Sequence, residues 1–280
     1  MRAMGMEITR IGGPLLAEIA GVDLTKPLDA ETKSAVNAAF LEHCVLVFRG
    51  QELTPAQVVE FERIFGEPQI HVTKKYRHPE FDELIVMTNM NKDGEVDAFE
   101  SRRGLGWHSD MCYLEVPAKA TVLHPLEIPD QGGDTLFANM YEALAEMPGE
   151  LRKKIEGLRG TFRFGGRSAD VQNRLDPADR DKPLIDHPVI RVHPETGRES
   201  IFVNPIHTVG ILGMPDDEAV DLLDEVYAWC GQEKFQARHR WRMGDTLIWD
   251  NRCTWHSATG DNPLRQRRRF LRGNISGSLH

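Results

Sequence analysis

Apolar positions follow two periods along this chain. Behind Asp29, a residue suited to capping a helix, Val36, Phe40 and Cys44 recur at helical spacing. Thr54 followed by Pro55 opens a second helical stretch, ending at Gly66. Between the two, Val45–Phe48 is a continuous apolar run of strand length and predicts a buried strand. A third helical stretch covers 140–157 and breaks at Pro148-Gly149. A fourth, over Asp216–Cys230, carries one stripe of Val220, Leu223, Val226, Tyr227 and Cys230.

Short strand-like runs fill the rest, at 120–123, 134–138, 187–193, 199–204, 235–241, 246–249 and 268–275. Pro194-Glu195-Thr196-Gly197 and Met243-Gly244-Asp245 read as hairpin turns. Many closely spaced strands with helices outside them predict a mainly β fold with flanking helices, an antiparallel double sheet of the double-stranded β-helix (jelly-roll) type. There is no internal repeat, low-complexity tract or interdomain linker. The polar stretch 91–106 is a candidate mobile loop and active-site lid.

Composition narrows the class. The 280 residues are 40% hydrophobic, 8% aromatic and 28% charged, which suits a globular chain and excludes coiled coil, collagen and wholesale disorder. A net charge of −9, from 34 basic against 43 acidic residues, argues against a nucleic-acid partner. Apolar runs such as 44–48 and 84–87 fall far short of the roughly 20 residues that span a bilayer, so no membrane helix is expected. Glu18 interrupts the only signal-like stretch, 14–19, and no cleavage pattern follows it. The four cysteines form no CxxC pair and are expected to be reduced and structural, which points to a mature cytoplasmic protein.

The chemistry lies in Trp107-His108-Ser109-Asp110. On an extended strand residues i and i+2 share a face, so His108 and Asp110 can offer an imidazole and a carboxylate to one ion. His256, after Trp249-Asp250-Asn251-Arg252, supplies a third ligand. Two histidines and a carboxylate leave positions open, the arrangement of non-haem Fe(II), whereas zinc more often takes a closed site or one with a single opening. Alone, an HxD triplet among 11 histidines carries little weight. Trp107 and Trp249 read as core aromatics, and His124, His187, His193 and His239, with no motif around them, as structural or exposed.

With these motifs in order, the chain resembles the taurine dioxygenase and phenoxyacetate-herbicide dioxygenase family, which depends on Fe(II) and 2-oxoglutarate. The likeness runs from Ala17-Glu18-Ile19-Ala20-Gly21-Val22-Asp23-Leu24 to the C-terminal arginine strand and rests on Trp107-His108-Ser109-Asp110, Gly132-Gly133-Asp134-Thr135, Trp249-Asp250-Asn251-Arg252 with His256, and Gln266-Arg267-Arg268-Arg269-Phe270-Leu271-Arg272. It implies iron ligands at His108, Asp110 and His256, 148 residues apart at the extremes. It also implies that Thr135 and Arg268 hold the distal carboxylate of 2-oxoglutarate, for which a hydroxyl and a bidentate guanidinium are suited donors. Arg267 and Arg269 compete for that role. Arg268 is preferred because it keeps a four-residue step to Arg272, and alternation then puts Arg268, Phe270, Arg272 and Asn274 on one face, with Arg267 and Arg269 outward. Because the ligands come from both ends of the sequence, 1–280 reads as a single domain.

The carboxylate of Asp110 implies hydroxylation rather than the halogenation of relatives with a small residue there. Such a reaction consumes 2-oxoglutarate and O₂, releases succinate and CO₂, and hydroxylates a C–H bond. Arg272 and His71 match positions that meet a sulfonate in the taurine enzyme, and His207 and Phe162 fall near its aromatic substrate positions. Lys74, Gly104 and His207 depart from its pattern, which puts taurine itself in doubt. The expected substrate is a small anion: a sulfonate, sulfate ester, phenoxyalkanoate or other carboxylate. Two alternatives stay open, the same chemistry on a neutral or amino-acid-like metabolite and a catalytically idle jelly-roll metal-binding protein. The resemblance also implies a homo-oligomer, dimer or tetramer.

Overall fold

The structure is a computed structural model and describes residues 5–70, 77–91 and 93–278. Among these, the largest sheet has the order β1 (Glu7–Arg10), β2 (Ala17–Ala20), β3 (Val45–Phe48), β13 (Thr246–Asp250), β5 (Ala120–Glu127), β15 (Arg269–Ile275) and β4 (Leu84–Thr88). All its pairs are antiparallel except β2 with β3. A smaller sheet runs β12 (Gln236–His239), β6 (Thr135–Asn139) and β14 (Thr254–Ala258). A third has β11 (Thr208–Ile211), β7 (Arg159–Phe162) and β8 (Ile185–Pro188), and β9 (Ile190–Val192) pairs with β10 (Glu199–Ile201).

Strand alternation builds the layers. Leu46, Phe48, Val122, Ile248 and Leu271 project from one face of the large sheet into a core with helices α1 (Ala30–His43) and α2 (Pro55–Glu62), which contribute Phe40, Val58 and Phe61. The intervening positions Val45, Val47, Leu123, Leu247, Trp249 and Phe270 project from the other face and meet Phe137 of β6 and Ala237 of β12. The large and small sheets therefore pack face to face. On the far side of the small sheet, helices α3 (Met140–Ala145), α4 (Gly149–Ile155) and α7 (Asp216–Cys230) close a further core around Trp255, Phe162 and Phe202. Two short helices, α5 (Ala169–Arg174) and α6 (Pro177–Arg180), sit between β7 and β8 in sequence.

The helix signals lie where caps exist. Asp29 accepts from Thr32 N at 2.7 Å, and Thr54 and Gln57 form a reciprocal capping box. The Pro148-Gly149 break separates α3 from α4, and the Pro194–Gly197 turn joins β9 to β10. Three expectations are corrected. Met243–Asp245 is a turn but not a hairpin, because β12 and β13 belong to different sheets. The 187–193 run splits into β8 and β9, which enter different sheets. The His108–Asp110 segment is not a strand: His108 makes an isolated bridge and the chain turns at Asp110. No helix among the described residues is long and apolar enough to cross a membrane.

Glu62, at the end of α2, is fully buried, and neither carboxyl oxygen has a hydrogen-bond partner among the described residues. It lies against Gly273 of β15 so closely that a Cβ there would sit 1.7 Å from Oε1. Burial, with Glu83 adding to it, pushes the Glu62 carboxyl up to about 9. The folded chain therefore retains a proton that the unfolded chain releases near 4.5. Stability from this group is complete below that lower value and falls by about 1.4 kcal/mol per pH unit as pH rises toward the upper one. Glu62→Gln is expected to gain on the wild type in Tm progressively from about pH 5 to pH 9. A constant Tm difference across that range would contradict the buried proton.

Candidate active site

His108 and His256 face each other across an isolated antiparallel bridge, His108 N donating to His256 O at 3.1 Å and His256 N to His108 O at 2.8 Å. Directly after Asp110 the chain reverses through Met111, whose φ of 53° is unusual for a side-chain-bearing residue. His108 Nδ1 lies 2.8 Å from Gly106 O. A carbonyl only accepts, so Nδ1 carries the proton and Nε2 keeps a lone pair. Nε2 of His108 lies 3.9 Å from Asp110 Oδ1, and Nε2 of His256 lies 3.6 Å from Oδ2. One donor atom from each of these three buried residues falls within 4.8 Å of the others. Burial lowers the pKa of both imidazoles and keeps them neutral. Burial alone would raise Asp110, but the Arg272 guanidinium above all, together with the Thr121 hydrogen bond, outweighs it and holds the carboxyl well below the usual range. Two neutral nitrogens and one carboxylate are a donor set that fits a divalent transition-metal ion.

Behind Asp110 lies a hydroxyl hub. Thr121 Oγ1 donates to Asp110 Oδ2 at 2.6 Å and accepts from Asn251 Nδ2 at 2.9 Å and Asn274 Nδ2 at 2.7 Å. Asn251 Oδ1 in turn accepts from Asp110 N and Trp249 Nε1. Arg272 Nη2 reaches Asp110 Oδ1 at 2.7 Å, so the carboxylate is fixed at both oxygens.

Around Arg268 the register is set by Asn89. Its side chain accepts from Arg268 N at 2.8 Å and donates to Gln266 O at 2.9 Å. Arg268 is thereby turned inward, its Nε donating to Gly133 O at 3.2 Å and its guanidinium carbon 4.5 Å from the Phe270 ring centroid. Gly133, at φ +68°, leaves room for this side chain, since a Cβ there would stand 3.4 Å from Arg268 Cδ and Nε and 3.1 Å from Pro129 Cγ. Arg267 and Arg269 are exposed and approach Glu127 instead, at 3.9 and 3.7 Å. No carboxylate among the described residues pairs with Arg268, and burial lowers its guanidinium to about 10 against the pull of Asp134. Thr135 is buried at the start of β6, next in sequence to Asp134. An inward arginine with no carboxylate partner among the described residues, bonded to Gly133 two residues before a buried hydroxyl, is a donor set for a carboxylate ligand.

His207 packs edge-on to His108 at 5.8 Å, in an aromatic group with Tyr113 at 5.0 Å and Phe164 at 5.9 Å. Gly165 N donates to His207 Nδ1 at 3.1 Å, which assigns the ring proton to Nε2, and burial drops its pKa to about 3. Phe162 is placed differently from expectation. It is fully buried against Phe202 and His187, and Phe164, two residues on, is the ring beside His207. The strand β7 ends at Phe162, which points into the core, and the chain turns after it, so Phe164 does not continue on the same face. His71 lies outside the described residues, as does Lys74.

A model of the family described as "Taurine catabolism dioxygenase TauD, TfdA family" matches residues 7–273. The chain belongs to that family. It is 32% identical over 255 residues to the alpha-ketoglutarate-dependent 2,4-dichlorophenoxyacetate dioxygenase of Cupriavidus pinatubonensis, covering 87% of this chain and 88% of that one. To the alpha-ketoglutarate-dependent sulfate ester dioxygenase of Pseudomonas putida it is 31% identical, over 98% of this chain and 91% of the relative. A solved structure of AAD-2 with Mn(II) and N-oxalylglycine superposes with a TM-score of 0.86 at 26% identity, covering 98% of each chain. This TauD-family protein is an Fe(II)- and 2-oxoglutarate-dependent dioxygenase, using O₂ as co-substrate.

The dioxygenase contains a second close set of such side chains, His193, Asp250 and Cys253. Asp250 there is already saturated: Arg252 Nε and Nη2 bind its two oxygens at 2.8 and 2.6 Å, and His193 Nε2 adds a bond at 3.0 Å. A guanidinium occupies the place a metal would take. His124 and His187 are likewise committed, to Thr246 and Leu114 O, and His239 Nε2 lies 3.1 Å from Asp245 Oδ2. Sequence reading missed Thr121, Asn89, Tyr113 and Phe164. Tyr113 lies three residues past Asp110 and Phe164 two past Phe162, so register was the available signal. Thr121 and Asn89 carried none. Thr121→Val removes the donor to Asp110 and the acceptor of two amides, and is expected to cost about 3 kcal/mol in urea unfolding. Destabilisation no larger than that of an ordinary surface substitution would contradict the hub.

Proposed function

We propose that this dioxygenase hydroxylates a small anionic organic substrate, a sulfonate, sulfate ester, phenoxyalkanoate or related carboxylate, within one jelly-roll domain over 1–280. The observation that carries this is the Arg272 guanidinium, 2.7 Å from Asp110 and thus beside the triad. A cation in that place answers an anionic head group and holds the adjoining carbon near the reacting centre. The names of the phenoxyacetate and sulfate ester relatives agree in charge and size.

In this reading His108, Asp110 and His256 hold Fe(II), and Arg268 with Thr135 binds the distal carboxylate of 2-oxoglutarate. Bound Fe(II) with 2-oxoglutarate and O₂ supplies the oxidising power for C–H hydroxylation, leaving succinate and CO₂. Thr121 and Arg272 keep Asp110 ionised and oriented before substrate enters. His207, neutral and with its proton on Nε2, offers a hydrogen bond without adding charge, and Tyr113 and Phe164 give the substrate an aromatic wall. The loop expected as a lid, 91–106, of which residue 92 lies outside the described residues, brings Arg103 and Leu105 to a cavity that Arg268 and Asn89 also line, and acts there as a cover.

Purified protein with Fe(II), ascorbate and 2-oxoglutarate is expected to release succinate, faster with the correct member of a panel of acidic substrates. Iron binding is expected to be lost in His108→Ala; retained binding overturns the triad. Arg268→Ala is expected to raise the KM for 2-oxoglutarate by roughly tenfold or more, the scale of a lost charge-assisted pair, with Arg267→Ala within about twofold. The reverse order would move the register by one residue. Arg272→Ala is expected to raise the KM for the prime substrate most, and an unchanged KM across the acidic panel would overturn the anionic assignment.

A further inference from the structure

Trp241, two residues past the end of β12, was read only as part of a strand. Its indole is buried between the large and small sheets. Nε1 donates to Thr135 Oγ1 at 3.1 Å. Its ring meets Phe270 edge-on at 4.7 Å, and the opposite partner of Phe270 is the Arg268 guanidinium at 4.5 Å. His239 packs perpendicular to the indole at 4.6 Å and fixes it from the small-sheet side. One side chain thus touches Thr135 directly and Arg268 through a single ring.

We propose that Trp241 is a positioning residue for the 2-oxoglutarate carboxylate, acting through the Thr135 hydroxyl and the plane of Arg268. This rests on the reading that Thr135 and Arg268 hold that carboxylate. A hydroxyl has one hydrogen to give and two lone pairs to receive. An indole N–H can only donate, so it occupies a lone pair of Thr135 and turns the hydroxyl hydrogen away from itself. A carboxylate can only accept, so the hydrogen that Trp241 aims outward is the one a carboxylate needs. Without the indole donor the hydroxyl is free to rotate, and ordering it again draws on the binding free energy of the ligand. The edge-on Trp241–Phe270 contact fixes the ring over which the Arg268 guanidinium lies and so restrains its orientation by the same logic.

Trp241→Phe removes the N–H and keeps an aromatic ring. The probe is N-oxalylglycine, titrated calorimetrically into Mn(II)-loaded protein, beside Thr135→Val and the double variant. Expected are a roughly three- to tenfold weaker N-oxalylglycine affinity in Trp241→Phe, the scale of one neutral hydrogen bond, and a parallel rise in the KM for 2-oxoglutarate. Mn(II) affinity and kcat at saturating 2-oxoglutarate are expected to be unchanged. In the Thr135→Val background Trp241→Phe is expected to weaken binding little further, because the hydroxyl it acts through is gone. If Thr135→Val weakens binding and Trp241→Phe does not, the positioning role is overturned and the carboxylate reading stands. If Thr135→Val has no effect, the carboxylate reading itself falls. Full additivity in the double variant makes Trp241 a packing residue only and also overturns the proposal. Should Trp241→Phe not fold, wild-type NMR decides: the indole N–H resonance displaced by Thr135→Val is expected to move on adding N-oxalylglycine to the metal-loaded protein. A stationary resonance overturns the role.

Discussion

The pair of backbone hydrogen bonds between His108 and His256 is the constraint around which the rest of the molecule is arranged. Its two hydrogen bonds contribute little free energy, about 1 kcal/mol each by the usual net value. What they fix is geometry. They hold the loop after residue 106 in line with β14, so that two imidazoles project toward one carboxylate from segments 148 residues apart. The free energy that keeps them in register comes from the apolar layers on either side of the large sheet, where Phe48, Val122, Ile248 and Leu271 face one core and Trp249, Leu123 and Phe270 the other.

Buried charge is handled in two distinct ways, and the difference separates scaffold from site. Asp250, Arg252 and His193 satisfy one another, and Glu195, held by Arg252 and by Lys119 at 2.9 Å, closes the set. Nothing is left over for a ligand. Arg268 is the contrary case: it bonds a carbonyl and rests on an aromatic face, and no carboxylate among the described residues pairs with it. A desolvated guanidinium gains from an anionic ligand that supplies a counter-ion. Arg272 is intermediate, sharing Asp110 with the triad. Arg268 immediately precedes β15 and Arg272 lies within it, each two residues from Phe270, so one continuous segment sets their spacing.

The legibility of the chain in its sequence follows the range of the interactions. Helix α7 was readable to its ends because its apolar stripe is local, and so were the starts of α1 and α2, each capped by its own flanking residue, although α2 stops at Glu62, short of the expected Gly66. Strand β11 was missed, being a short run with glycine and a polar residue whose burial comes from elements elsewhere. The turn at Met243 has the same chemistry whether its flanking strands pair or part, so its crossing between sheets could not be seen. At the site, the ligand set and the inward arginines rest on motif and alternation, both local. Trp241 and Asn89 are different: their hydrogen bonds span 106 and 179 positions, and no local pattern marks such partners. The strand expected at His108–Asp110 failed for a related reason, since the extended geometry there is imposed by His256 across the bridge and stops where that partner stops.

The wide separation of His108 from His256 also bears on how the protein matures. Closing so long a span costs chain entropy that only the finished sheets offset, and folds dominated by distant contacts form slowly. On the ribosome, His108 and Asp110 emerge long before β14 and β15 exist, and until those strands arrive the large sheet lacks β15 between β5 and β4. A nascent chain therefore has neither a complete core nor the assembled His108–Asp110–His256 cluster until β14 and β15 have been made.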